Sequence, residues 1–298
     1  VDEAVANLER AKMKLKHYRA AILRAAIEGR LVRNELEIAQ GAARQCEGAE
    51  ELLADILSFR RARWPARYEP PVEPTKTSRE ALPRGWVWCT VSQLMRERII
   101  NGLSVKESPM PTEVRALRLN AMSEAGFDYG KYRYLPVDRT RVEDIVVRES
   151  DFFVCRGNGT LDLVGRGTTA QLPPFDVIFP DTMMRVRFVN RDIGRWIGLL
   201  WPSRLVRAQI ETRGKTTAGI YKIAQPQLAS ITLPLPPLSE MTRIVSEVNR
   251  LLSVVGEISG EIEAGLRRGV SLKQGILQSA FATDARTSRG CGLGGARR

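Results

Sequence analysis

The sequence predicts an α+β protein in which a mixed α/β domain is inserted between two long helices that pair as an antiparallel coiled coil. Three observations carry this. Apolar residues recur in heptads near both ends of the chain, the two ends repeat one another at an offset of 254 residues, and short β-type runs punctuated by Gly and Pro fill the middle.

The first helix is read from Leu8, Leu15 and Ile22, seven apart, with Ala11, Tyr18 and Ala25 three residues after each. Arg10, Lys12, Lys14 and Arg24 occupy the other faces, and Gly29 is placed to stop the helix. Glu50 to Arg63 reads as a shorter helix with Leu52, Leu53, Ile56, Leu57 and Phe59 on its apolar side. Trp64-Pro65, Pro70-Pro71 and Pro74 then mark an extended linker, because proline fixes φ and withholds a donor.

From Leu82 to Pro237 the texture changes. Strand-like runs are expected at Trp86–Trp88, Ile145–Val147, Asp151–Cys155, Met184–Val189 and Ile231–Leu233. A helical stretch from Trp196 to Ile210 should break near Pro202. After Pro236-Pro237 the last long helix is expected to begin with Ser239 as N-cap. Its seam is Val248, Val255, Ile262, Gly269 and Ile276 at a, and Leu251, Ile258, Gly265 and Leu272 at d. The texts Ala21–Ile27 and Gly275–Phe281 share its register, and the small residues Ala11, Gly265 and Gly269 would let the helices approach closely. The expected organisation is thus a helical region 1–63, a linker 64–81, a central domain 82–237, a long helix 238–285 and a disordered tail 286–298.

Charge narrows the partner class. Lys plus Arg number 46 against 34 acidic residues, a net charge of +12, which suits a polyanion such as nucleic acid. Cys46, Cys89, Cys155 and Cys291 are scattered and His17 is the single histidine, a poor supply for metal or His-based chemistry. No apolar run reaches the roughly 20 residues that span a bilayer, and a cytoplasmic location is expected. Because the chain opens on Val1 rather than Met, it is expected to be processed or cut from something longer.

Several motifs converge on one family. Leu82-Pro83-Arg84-Gly85-Trp86-Val87-Trp88 with Val91-Ser92-Gln93-Leu94 resembles the opening of a target recognition domain in the specificity subunits of type I restriction-modification systems. Asn101–Lys106 looks like the loop after its first strand. Asp151-Phe152-Phe153-Val154-Cys155-Arg156-Gly157-Asn158-Gly159-Thr160 with Val164-Gly165-Arg166 is similar to its central hairpin. Leu233–Glu240 with Arg243-Ile244-Val245 resembles its exit into the following helix, although Met241 stands where the family usually has Gln. The resemblance covers nearly everything from Leu8 to Ala282, with one recognition domain where a full subunit has two. It implies a non-catalytic subunit, without a cofactor of its own, that reads one half of a two-part site in double-stranded DNA. The partners it implies are the methyltransferase and restriction subunits, with the second reading head supplied by a second copy of the chain or by another recognition domain.

Base reading and phosphate gripping need amide, hydroxyl and guanidinium groups on loops. Arg156, Asn158, Thr160 and Arg166 form the first candidate set, and Arg213, Lys215, Thr216, Thr217 and Tyr221 the second. Lys106, Arg118 and Asn120 form a third, while Arg115, Lys131 and Arg133 read as solvated surface. Gly214-Lys215-Thr216 lacks the upstream glycine of a phosphate loop, so nucleotide binding is rejected. The rivals are a non-catalytic coiled-coil scaffold and a fragment of a methyltransferase or nuclease fusion. Against the latter, Pro173-Pro174-Phe175 follows Leu172 where an adenine methyltransferase has Asn or Asp, and Asp176 and Asp181 lack the E-x-K of a nuclease.

Overall fold

The computed structural model describes residues 2–42, 47–63, 69–74, 81–123, 126–213, 215–217 and 220–290, with side chains described except at 215–217, 220 and 276–290. Cys46, the Trp64-Pro65 start of the linker and the tail beyond 290 lie outside the described residues. The helices in chain order are α1 (Asp2–Ile27), α2 (Glu35–Gly41), α3 (Ala49–Arg63), α4 (Val91–Leu94), α5 (Arg191–Leu200), α6 (Arg204–Arg213), α7 (Gln225–Ala229) and α8 (Leu238–Gly290). The first strands are β1 (Val87–Thr90), β2 (Ile100–Asn101), β3 (Val114–Leu117), β4 (Met122–Ser123), β5 (Gly126–Phe127) and β6 (Tyr132–Leu135). Then come β7 (Phe152–Cys155), β8 (Gly157–Asn158), β9 (Gly167–Thr169), β10 (Met183–Val186), β11 (Lys215–Thr217), β12 (Ile220–Lys222) and β13 (Thr232–Leu235). These segments form two compact units, Val1–Ile22 with Val248–Arg298, and Leu23–Glu247.

The first unit is an antiparallel helix pair. Asp2 meets Lys273 at 2.8 Å and Lys12 meets Glu263 at 2.9 Å, so early residues of α1 face late residues of α8. The expected a positions turn inward: Ile22, Val255 and Ile262 are buried, and Leu8 and Leu15 are half-buried. The d column is corrected only in part, since Ala11, Leu251 and Gly265 are half-buried as expected. Tyr18, Ile258 and Leu272 are exposed, and Leu252, Ser259 and Leu266, one residue further along α8 than the expected d positions, are half-buried as well. A pair of helices has one narrow seam, and a helix of 3.6 residues per turn drifts against a seven-residue repeat, so some d positions are left outside. Gly265 and Gly269 do lie at the contact, where an added Cβ would stand 3.1 Å from Leu8 and 2.8 Å from Val5.

In the second unit the sheet β2-β10-β7-β9 is central and antiparallel. All four residues of β7 are buried, because alternate side chains point to opposite faces and both faces are covered. Phe152 packs edge-on to Trp201 on one side, while Phe153 meets Phe179 and Phe127 on the other. The start and end of the central segment are joined by β1 and β13, in register from Val87↔Leu235 to Thr90↔Thr232. Pro234 is tolerated there because β13 pairs with β1 alone. Thr90 and Gln93 form a capping box that starts α4.

Three expectations differ. Ile145–Val147 forms no strand: Arg139–Ile145 is a 3-10 helix capped by Asp138, and Val147 bonds singly to the Val177 carbonyl. Residues 1–63 do not form one body, since α2 and α3 pack within the second unit, where Arg60 donates to the Ser92 carbonyl and Asn34 to that of Arg84. Finally, α8 begins at Leu238, one residue before the expected cap Ser239, and runs five residues past 285 to Gly290.

Candidate nucleic-acid interface

The chain leaves β7 at Arg156 and enters β8, the two-residue strand Gly157–Asn158. That strand pairs with β12, which pairs with β11, in a three-stranded sheet. The register sets Asn158 opposite Tyr221 and Tyr221 opposite Thr216, while Gly157 faces Lys222 and Lys222 faces Lys215. Two sequence segments about sixty residues apart, read separately as the first and second candidate sets, thus join in one sheet, with the Asn158–Tyr221–Thr216 and Gly157–Lys222–Lys215 rows on opposite faces. The side chains of Lys215, Thr216 and Thr217, and Gly214 as a whole, lie outside the described residues.

The base of this surface is anchored to the central sheet. Arg156 N–H donates to the Thr182 carbonyl at 2.8 Å, and Ile223 N–H donates to the Arg156 carbonyl at 2.9 Å. The Arg156 guanidinium is half-buried, with one long contact of 3.4 Å to the Asp181 carbonyl. Beneath it, burial pushes the Cys155 thiol up to about 11, so this cysteine is neutral packing. Beyond Asn158 the tip turns on itself: Asn158 Oδ1 accepts from Thr160 N–H at 3.1 Å, an Asx turn that uses the carbonyl oxygen of the side chain and not its amide nitrogen.

The return of the tip needs Gly165, whose φ of +75° is a left-handed conformation and whose missing side chain admits Ile210. Arg166 is exposed, with its Nε held by the Asp162 carbonyl at 3.1 Å. One residue unsuspected from sequence organises this region. Arg207 on α6 donates to the carbonyls of Leu161 and Val164 at 2.8 Å each and pairs with Glu211 at 2.9 Å. Nothing in the local text around Arg207 signals that role, which exists only because α6 packs beside the tip. Arg207→Ala is expected to lower stability by about 1–3 kcal/mol and to speed amide exchange in 160–166, whereas Arg204→Ala should leave that segment unchanged.

Arg213 closes α6, with Nη1 on the Gln209 carbonyl at 3.1 Å and its own carbonyl accepting from Gln227 at 2.9 Å. Lys222, exposed and lying over Gly157 on the face opposite Asn158 and Tyr221, belongs to the same sheet without having been singled out from sequence.

The third set flanks another ribbon, β3–β6: Lys106 precedes β3, and Arg118 and Asn120 follow it. Arg118 there pairs with Glu107 at 2.5 Å and donates to the Tyr132 carbonyl at 3.2 Å, while Lys106 and Asn120 are exposed. Beside it, Arg115 is not plain solvated surface. Its guanidinium stacks 4.7 Å from the Phe175 ring and 5.7 Å from that of Tyr132. The Tyr132 hydroxyl is shifted up by its hydrogen bond to Tyr134, and that of Tyr134 down by the same bond and by Arg115.

No family model matches the chain. Over 182 residues it is 27% identical to the EcoKI specificity subunit, a type I restriction enzyme component of Escherichia coli (strain K12), and 28% identical to the StySPI specificity subunit of Salmonella potsdam. The match takes in 61% of this chain and 39% of each relative, so the chain spans well under half of the proteins it resembles. Among solved structures, the HsdS subunit from Thermoanaerobacter tengcongensis aligns over 94% of this chain and 57% of its own, with 18% identity and a TM-score of 0.43. A type I restriction-modification S subunit from M. genitalium aligns over 91% and 56%, with 10% identity and a TM-score of 0.45.

Proposed function

We propose, for a chain whose curated relatives are type I restriction enzyme specificity subunits, that it is a non-catalytic module reading one half of a two-part site in duplex DNA. The observation that carries this is the β8–β12–β11 sheet, which brings Arg156, Asn158, Tyr221 and Lys222 together, with Asn158 and Tyr221 on one face and Lys222 over Gly157 on the other. Guanidinium and amide groups read guanine and adenine edges respectively, and lysines hold the phosphates. Methyltransferase and restriction subunits would supply the chemistry, and the helix pair would dock them and set the distance to a second reading head.

The test is a titration of the chain with duplex DNA containing its methylation site, alone and with the methyltransferase partner. Affinity is expected to fall steeply with salt. Arg156→Ala and Asn158→Ala should each cost about 1–3 kcal/mol and relax specificity. Lys222→Ala should weaken all sequences alike. Absence of salt-sensitive binding would favour the coiled-coil scaffold, a reading to which the exposed Val254, Ile258 and Leu272 of α8 lend themselves. Methyl transfer or cleavage by the pure chain with magnesium and S-adenosylmethionine would instead establish an enzyme.

A further inference from the structure

The central sheet carries a second polar feature at its other end. Arg156 follows β7 and the interface lies there, whereas the residues before β7 and after β10 enclose a cavity of about 300 Å³. A four-residue strand separates the two ends by about 14 Å. The floor of the cavity is a neutralised network. Arg187 pairs with Asp151 at 3.0 Å and with Glu97 at 3.1 Å, and the buried Arg185 reaches Glu97 at 3.0 Å. On the wall, Glu149 is taken by Arg191 at 2.6 Å. Every carboxylate lining the cavity therefore already has a guanidinium partner.

Three further arginines line the same cavity from separate elements: Arg63 at the end of α3, Arg96 after α4 and Arg148 before β7. All three are exposed, and none of their guanidinium groups has a hydrogen bond or ion pair among the described residues, although the backbone N–H groups of Arg96 and Arg148 are bonded to Arg187 and Asp151. A further wall is the amino end of α5, where Asn190 caps Ile193 N–H and the first turn adds partial positive charge. Ser150, also at the cavity, is held at a φ of +69°, the one non-glycine residue in the left-handed region among the described residues. Three like charges converging on one space repel each other unless an anion sits between them. Guanidinium forks match the oxygens of a phosphate, and helix amino ends bind the same group.

We infer that this cavity, bounded by Arg63, Arg96, Arg148 and the start of α5, is a phosphate-binding site distinct from the proposed reading surface. Its phosphate comes either from the backbone of DNA running past the sheet or from a free phosphate-bearing molecule. Calorimetric titration of the full chain with pyrophosphate at low ionic strength tests the site. Saturable binding is expected, weakened at least tenfold in Arg96→Ala/Arg148→Ala. Lys16→Ala/Arg19→Ala, which removes the same charge from α1, should stay within twofold of the parent. No binding, or equal weakening in both double variants, overturns the inference. Should the first variant fold poorly, Arg63→Ala serves in its place, with at least threefold weakening expected and no change overturning the inference. Repeating the titration with duplex DNA present separates the sources: competition marks a backbone phosphate, and undiminished binding marks a free ligand. The pyrophosphate arm holds whether or not the chain reads DNA, so the two proposals fail separately.

Discussion

Trp86→Ala is expected to destabilise the second unit by about 3–5 kcal/mol, the cost of emptying a buried tryptophan site. Trp86 lies edge-on to the fully buried Trp196, with ring centroids 5.6 Å apart, and its indole N–H donates to Glu240 Oε1 at 3.0 Å. The same carboxylate accepts from Glu35 N–H at 2.8 Å and from Asn34 Nδ2 at 3.3 Å. Trp86, Glu240 and the Asn34 cap of α2 thus lock three distant stretches of chain together. Trp86→Phe keeps most of the packing and loses the donor, so its cost should be about 1–3 kcal/mol. Equilibrium urea unfolding measures both.

The lock has a pH signature. Burial pushes the Glu240 carboxyl above its ordinary value, against the opposing pull of the Glu35 and Trp86 hydrogen bonds and of Arg243. The folded state therefore holds this proton more tightly than the unfolded chain. The contribution of Glu240 to stability is largest below pH 4.5, falls as pH rises from there through the folded value, and is level above it. Glu240→Gln should remove that slope, so the stability gap between parent and variant should be wider at pH 4.5 than at pH 7. A gap independent of pH would show that this carboxyl does not titrate differently on folding.

Asp151→Ala is expected to cost a similar about 3–5 kcal/mol, because it strips a buried arginine pair of a partner. Asp151 is 3% exposed, and its carboxylate is shared by Arg187 and the Arg148 N–H. Its loss leaves Glu97 alone with Arg185 and Arg187, of which Arg185 is itself buried inside β10. Asp151→Asn keeps an acceptor for Arg187 without the charge and should fall between the two. Because this network lies at the far end of the sheet from Arg156, DNA affinity per folded molecule should change little in Asp151→Asn. A loss of affinity as large as that of Arg156→Ala would couple the two ends of the sheet.

Of the residues in the family-like motifs, Trp86, Asp151 and Glu240 prove to be struts, whereas Arg156 and Asn158, from the same motif as Asp151, lie in the sheet proposed to read DNA. Their identities were legible because a motif is local. Their roles were not, because Trp86 and Glu240 meet across 154 residues. Strand β8 was equally hidden: two residues carry no alternation to detect, and its pairing with β12 exists only in the folded chain. Arg207 and the stacked Arg115 were passed over for the same reason, since a lone arginine has the same local text whether it faces water, a carbonyl or a ring.

Periodicity and turn chemistry were enough to specify the heptad a column, the left-handed Gly29 after α1, the break between α5 and α6 at Pro202, and a mixed domain between two long helices. Each of these is set by a residue and its neighbours within about a turn of helix. Folding decided which side of α8 the seam favours, that α2 and α3 pack with the central domain, and that two candidate segments share one sheet. Those outcomes depend on which of several apolar faces and unpaired strand edges find partners, a competition among contacts far apart in sequence that local spacing does not encode.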